Sequence, residues 1–180
     1  KIEAIKYARE KKIPFFGICF GMQMAILEFA RNKLNITKAT SSEFGNGGIP
    51  IVGLINEWNK EGKVIKGTDK DLGGTMRLGL YEAKLAENSL VKKIYKSKTI
   101  QERHRHRYEV NISYKKKFEE SGMIFSGLSP DNKLPEIIEL KNHPWFLAVQ
   151  FHPEFKSRPL APHPLFSSFI KAAKKYKWKI

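Results

Sequence analysis

Residues 17–21 read Gly-Ile-Cys-Phe-Gly, set between an apolar run and a helically spaced one, and few backbones can carry such a sequence. Upstream, Ile13-Pro14-Phe15-Phe16-Gly17-Ile18 has the length and polarity of a strand buried on both faces. Downstream, Met22, Ala25, Ile26, Phe29 and Ala30 recur at helical spacing. A cysteine flanked by glycines between strand and helix has the form of a nucleophile elbow. In an elbow the reactive residue sits on a strained turn, small neighbours avoid clashes, and the next backbone N–H faces a developing oxyanion. A helix start also favours thiolate over thiol. The glycines could equally serve only to let helix and strand pack closely, and a lone cysteine can be a small apolar core residue, so this pattern leaves both readings open.

The surrounding text extends the same grammar. Ile2, Ile5 and Ala8 predict that the chain begins inside a helix, giving helix, strand, sharp turn, helix, as in a parallel α/β sheet. From Asn32 to Gly79 the chain is loop-rich, with a strand expected within Ile49–Ile55 and a turn of helix after it. Short helices are expected at Ser89–Tyr95 and Ser113–Ser121, the latter ending at Gly122. Extended runs are expected at Tyr108–Ile112, Met123–Leu128, Glu136–Leu140 and Phe146–Phe151. A closing helix, Phe166–Lys175, places Phe166, Phe169, Ile170 and Ala173 on one face. At 180 residues and 41 % hydrophobic the chain can bury a single-domain core without disulfide or metal.

The formal net charge of +15 raises nucleic-acid binding as a class. The excess is mostly scattered lysine, with clusters at Lys115-Lys116-Lys117 and at Lys171, Lys174, Lys175, Lys177 and Lys179, and no groove-reading motif accompanies it. Solvated faces account for it better, so neither a nucleic-acid nor a membrane partner is expected. No run approaches the ~20 apolar residues of a bilayer span, and Lys1–Lys6 lacks a signal-peptide core, so a soluble cytoplasmic protein is expected.

A second motif lies where Phe146-Leu147-Ala148-Val149 leads into Gln150-Phe151-His152-Pro153-Glu154. A histidine ending a buried strand projects from the sheet's carboxyl edge, the edge that would also present Cys19. Glu154, two residues on, could accept the other imidazole N–H and fix the ring. A lone histidine is more often structural, but its pairing with a Gly-x-Cys-x-Gly turn favours a catalytic triad of Cys19, His152 and Glu154. The run His104-Arg105-His106-Arg107 is ambiguous among a metal site, an anion site and a solvated edge strand. Alternation puts its histidines on one face and its arginines on the other, and two histidines without a third ligand argue against zinc.

Gly17-Ile18-Cys19-Phe20-Gly21-Met22-Gln23 and Gln150-Phe151-His152-Pro153-Glu154 resemble the signatures of the class I glutamine amidotransferases, which hydrolyse glutamine through a thioester. Gly73-Gly74-Thr75-Met76-Arg77-Leu78-Gly79, Glu102 to Asn111 and Phe155-Lys156-Ser157-Arg158-Pro159 narrow the resemblance to the glutaminase domains of the CTP synthases. The resemblance implies a flavodoxin-like α/β fold, a mostly parallel sheet flanked by helices. It implies that Phe20, Gly21, Met22 and Gln23 line a glutamine pocket, that Glu43 holds the substrate ammonium and that Arg107 holds its α-carboxylate. It further implies ammonia transfer to a synthetase domain that uses ATP, Mg²⁺ and UTP, activation by GTP, and a homotetramer. No cofactor or metal is expected in this chain itself. Family members carry a glycine-rich oxyanion loop upstream of the elbow, so residues 1–180 are expected to be an incomplete domain without that loop and the first strands. Other triad amidotransferases, a γ-glutamyl hydrolase and a non-catalytic basic module are the alternatives.

Overall fold

The four side chains of Phe146–Val149 are all buried, and strand alternation sends them to two different cores. Phe146 and Ala148 join one cluster with Met22, Ile26, Phe29 and Phe118, while Leu147 and Val149 join another with Trp145, Phe151 and Leu165. A strand covered on both faces is apolar throughout, which is why this run shows no polar alternation. The computed structural model describes residues 1–45, 47–54 and 76–176. Its elements are α1 (Ile2–Glu10), β1 (Phe15–Ile18), α2 (Phe20–Asn32), β2 (Ala39–Ser41), β3 (Ile49–Leu54), β4 (Arg77–Leu85) and α3 (Leu90–Tyr95). These are followed by β5 (Thr99–His106), β6 (Tyr108–Val110), α4 (Lys115–Glu120), β7 (Met123–Leu128), β8 (Pro135–Leu140), β9 (Phe146–Val149) and α5 (Pro164–Lys175).

The main sheet runs in the order β1-β9-β8-β7-β4-β5, and a smaller one in the order β2-β3-β6. β1 and β9 are parallel, with Ile18 opposite Val149, and the other pairings of the main sheet are antiparallel. The parallel arrangement expected from the sequence is thus found at the β1–β9 pair, and the described fold as a whole is mixed α/β. From Met123 onward short turns join successive strands, and a short turn can only return the chain antiparallel.

Buried charge fixes the helices. Arg9 clamps Glu28, which is fully buried in α2, with Nη2 2.7 Å and Nε 2.9 Å from its carboxylate, and so ties α1 to α2. The Glu139 carboxylate accepts from the backbone N–H groups of Leu90 and Val91 at 2.9 and 2.8 Å, capping α3 alongside the Ser89 hydroxyl. The face of α5 differs from the expected one. Leu165 is fully buried, with Phe169 and Ala172 beside it, while Ile170 is 56 % exposed, because the contacts with Trp145 and Phe16 select the former stripe. The strand β4 was not expected, and β5 was anticipated only in part, as the edge-strand alternative for residues 104–107. On β5 the inward positions are Ile100, Glu102, His104 and His106, and on β4 Leu78 and Leu80 face outward, so apolar periodicity fails on both. The helical turn expected after Ile55, Gly73-Gly74-Thr75, Lys177 and Lys179 lie outside the described residues. Among the described residues no helix is long and apolar enough to cross a membrane.

Candidate active site

Cys19 continues the β1–β9 ladder by one bond, its N–H donating to the Val149 carbonyl at 2.7 Å, and then breaks it with φ 50° and ψ −104°. Its own carbonyl accepts from Met22 and Gln23 and opens α2. A non-glycine residue held there stores roughly 1–3 kcal/mol of backbone strain. Gly17 makes the tight turn possible. A Cβ on it would lie 2.8 Å from Ala148 Cβ and 2.9 Å from the Gly21 carbonyl carbon. A Cβ on Gly21 would meet nothing within 4 Å, so of the two glycines only Gly17 is required by close approach.

On the neighbouring strand, Gln150 N–H bonds to the Glu136 carbonyl, Phe151 is fully buried, and His152 N–H bonds to the Arg103 carbonyl at 2.8 Å. Because β1 and β9 are parallel, Cys19 and His152 emerge at the same edge of the sheet. A 3₁₀ turn, Pro153–Phe155, brings Glu154 back so that its Oε1 lies 2.6 Å from His152 Nδ1. Phe155 stacks on the imidazole with ring centroids 4.9 Å apart. His152 Nε2 is buried without a hydrogen-bond partner. The loop beyond is pinned by Glu102, which receives the Tyr95 hydroxyl at 2.9 Å and lies 3.0 Å from His163 Nε2.

The Cys19 thiol is pushed up to about 11 by burial, with Glu109 and Glu154 adding to the rise and hydrogen bonds from the Phe20 backbone and Gln150 opposing it. The thiolate expected from the helix start is therefore not the resting form. Desolvation outweighs the terminal N–H groups at this half-buried sulfur.

Cys19, Phe20, Gln23, Glu43, Arg105, His106, Arg107 and Tyr108 line a cavity of about 230 Å³. Larger hollows beside α5 and α3, of about 350 and 410 Å³, contain neither Cys19 nor His152, and His152 and Glu154 do not line the Cys19 cavity either. Glu43 is exposed on a 3₁₀ turn whose N–H donates to Ser41 Oγ, and Arg107 sits at the β5–β6 corner with Nη1 buried and unpartnered. A carboxylate and a guanidinium thus line the same cavity as the thiol, from separate segments. Gly21 and Met22 do not line the cavity; the Met22 side chain is fully buried in the core cluster that holds Ile26, Phe29 and Phe146. Gln23 has its amide committed to the Tyr108 carbonyl at 3.0 Å and to Gln150. Gln150, whose amide N–H points to Cys19 Sγ at 3.7 Å, was not singled out from sequence, although its place at the end of an apolar strand next to His152 marked it.

His104 and His106 face inward and Arg105 outward, as alternation requires. Arg107 falls after β5 ends and so escapes the alternation. Among the described residues no cluster of three or more His, Cys, Asp or Glu is arranged to hold a metal.

Residues 1–172 match the glutamine amidotransferase class-I family, and the chain belongs to it. Its strand-end cysteine and histidine–glutamate pair are the features from which that resemblance was read. Over 177 residues it is 80 % identical to CTP synthase of Pelagibacter ubique, a match covering 98 % of this chain and 33 % of that protein. It is 58 % identical over 174 residues to CTP synthase of Rhodospirillum rubrum, covering 96 % and 32 %. The glutaminase domain of Trypanosoma brucei CTPS, solved with bound acivicin, superposes with a TM-score of 0.84 at 34 % identity over 98 % of this chain and 66 % of that one. A GMP synthase subunit from Thermoplasma acidophilum shares the fold, at TM-score 0.53 and 18 % identity. The chain spans about a third of the length of the curated relatives it matches.

Proposed function

We propose that this chain is the glutamine-hydrolysing part of a cytoplasmic CTP synthase, with Cys19 as nucleophile, His152 as general acid and base, and Glu154 orienting the imidazole. The observation that carries this reading is the strained Cys19 turn on β1 sharing a sheet edge with the His152–Glu154 pair that follows the parallel strand β9. The Arg107 guanidinium takes the glutamine α-carboxylate and Glu43 the ammonium, since a bound zwitterion needs both ends matched.

In this mechanism Sγ gives its proton to His152 as it attacks the carboxamide carbon. The imidazolium then protonates the departing nitrogen, releasing ammonia and leaving a γ-glutamyl thioester. Water, activated by the same imidazole, cleaves the thioester to glutamate and restores the thiol. A thiol held protonated at rest suits this route, because the proton needed by the leaving group is already present. Ammonia passes to a synthetase domain of the same polypeptide, where ATP and Mg²⁺ activate UTP; GTP stimulates the coupled reaction, and the whole enzyme is a homotetramer.

Cys19→Ala in the full-length protein is expected to abolish CTP formation from glutamine while leaving formation from free ammonia largely intact. Equal loss of both activities would reject the assignment.

A further inference from the structure

Joined to the cavity wall through His106 lies a closed ring of five side chains, Arg77, Glu109, His106, His104 and Glu136, each no more than 7 % exposed. Arg77 Nη1 meets Glu109 Oε1 at 3.0 Å and Glu136 Oε1 at 2.8 Å. Glu136 Oε2 is 3.5 Å from His104 Nε2, and His104 Nδ1 is 2.9 Å from His106 Nε2. His106 Nδ1 closes the ring, 3.2 Å from the Tyr108 carbonyl and 3.5 Å from Glu109 Oε1.

Proton counting constrains this ring. The hydrogen-bonded contacts His104–His106 and His106–Tyr108 each need one hydrogen, the carbonyl supplies none, and each neutral imidazole supplies one; at the longer Glu136–His104 approach a third hydrogen is needed to keep two bare acceptors from facing each other. His106 Nδ1 faces two acceptors and therefore carries its hydrogen there, which leaves its Nε2 to accept. His104 must then donate from Nδ1, so its Nε2 is bare toward Glu136. The third proton belongs on Glu136. Charge agrees, because a single guanidinium faces two buried carboxyl groups, and neither Glu136 oxygen has an aligned hydrogen bond. Burial pushes Glu136 up to about 7 and Glu109 up to about 8. Burial, followed by the charge of Arg77, holds His104 down at about 2 and His106 at about 3. A proton on the unpartnered Oε2 of Glu109 would add nothing to the relay.

We propose that Glu136 is a positioning residue whose bound proton fixes the His104–His106 relay and thereby the β5–β6 corner that carries Arg105 and Arg107 into the cavity wall. When Glu136 loses that proton to solvent, His104 transfers its hydrogen to Nε2 to meet the carboxylate, and His106 moves its own to Nε2 to meet His104. The negative charge stays on Glu136, and a bare Nδ1 is left against the Tyr108 carbonyl, a repulsive contact at the corner. The other groups facing the ring are Tyr81 from β4 and Phe151 after β9, which pack on His104, and Asp131 and His152, which act on it through charge.

Neutron diffraction from the full-length protein, well below and well above the titration of Glu136 at about 7, reads the relay directly. On the acid side deuterium is expected on Glu136 and on Nδ1 of both histidines, and on the alkaline side on Nε2 of both. Deuterium on His104 Nε2 with Glu136 bare at the acid pH would overturn the proposal. The functional arm rests on the glutamine reading given above. The KM for glutamine is expected to rise about tenfold through the same interval, the effect of one weakened charged contact at Arg107. The profile should be flat in Glu136→Gln, whose amide N–H donates to His104 at every pH. Parallel profiles for the two proteins would refute the positioning role. Absence of any glutamine hydrolysis, with the deuterons where expected, would instead sink the glutamine reading and leave the relay standing.

Discussion

The side chain of His152 is 19 % exposed and has one carboxylate partner, itself nearly half exposed, whereas His104 and His106 share two carboxyl groups that water does not reach. The contacts do not explain the contrast, since a 2.6 Å pair at one site faces a 2.9 Å pair at the other. Solvation does. A charge beside Glu154 can be met by solvent, while a change of charge in the buried assembly must be met by rearranging its hydrogens. One chain thus places the same residue types in a pair that solvent reaches and in a buried ring where losing a proton obliges the remaining hydrogens to rearrange.

The strongest way to break this comparison is to remove one histidine from each side. His152→Ala is expected to reduce glutamine hydrolysis by on the order of 10⁶-fold, as loss of a triad base does elsewhere, with almost no change in unfolding midpoint. His104→Ala should instead destabilise the fold by about 1–3 kcal/mol, because it strands the partners of a buried polar group. Parallel turnover assays and denaturant titrations check both, and a marked loss of stability in His152→Ala would erase the distinction. Glu154→Gln should have a smaller effect, about 10²–10⁴-fold, because an exposed orienting carboxylate is easier to replace than the base. The rate of Cys19 labelling by a glutamine-analogue electrophile measures it.

The smallest expected effect is a pH dependence of stability. Glu109 and Glu136 titrate higher in the folded state than in the unfolded one, so folding binds protons and stability falls as pH rises through the window. The depressed histidines act in the opposite sense, but only below their ordinary 6.5. Between pH 6.5 and about 8 the carboxyl groups act alone, and stability should decline by no more than about 1.4 kcal/mol per pH unit for each group. Denaturation curves of Glu109→Gln/Glu136→Gln should be flat there, and a slope matching that of the unmodified protein would contradict the ring's titration.

What the sequence made legible follows from the same physics. Strands covered on both faces announce themselves by unbroken apolar runs, so β1 and β9 were readable, and with them the sheet edge that carries both Cys19 and His152. Helix α3, with a serine at its start, was readable for local reasons, as was the end of the α4 segment at Gly122. The strand β4 was not, and β5 was so only in part, because inward Arg77, Glu102, His104 and His106 invert the alternation that marks a half-buried strand. Met22 stands inside the motif that resembles a glutamine pocket, and only packing reveals that it belongs to the core. The raised titration of Cys19 was equally hidden, since the sequence displays the helix that stabilises a thiolate but not the burial that opposes it.

The position of β9 between β1 and β8 has a consequence for biogenesis. Cys19 is translated long before its partner strand: the strand that holds its backbone N–H and leads into His152 comes more than a hundred residues later. While the ribosome is still adding residues 20–145, the thiol belongs to an unfinished sheet with a gap where its partner will insert. Such long-range strand insertion is slow and comes late. The shared edge of Cys19 and His152 therefore cannot form until β9 has been made, so that its presence marks a sheet in which distant parts of the chain have already joined.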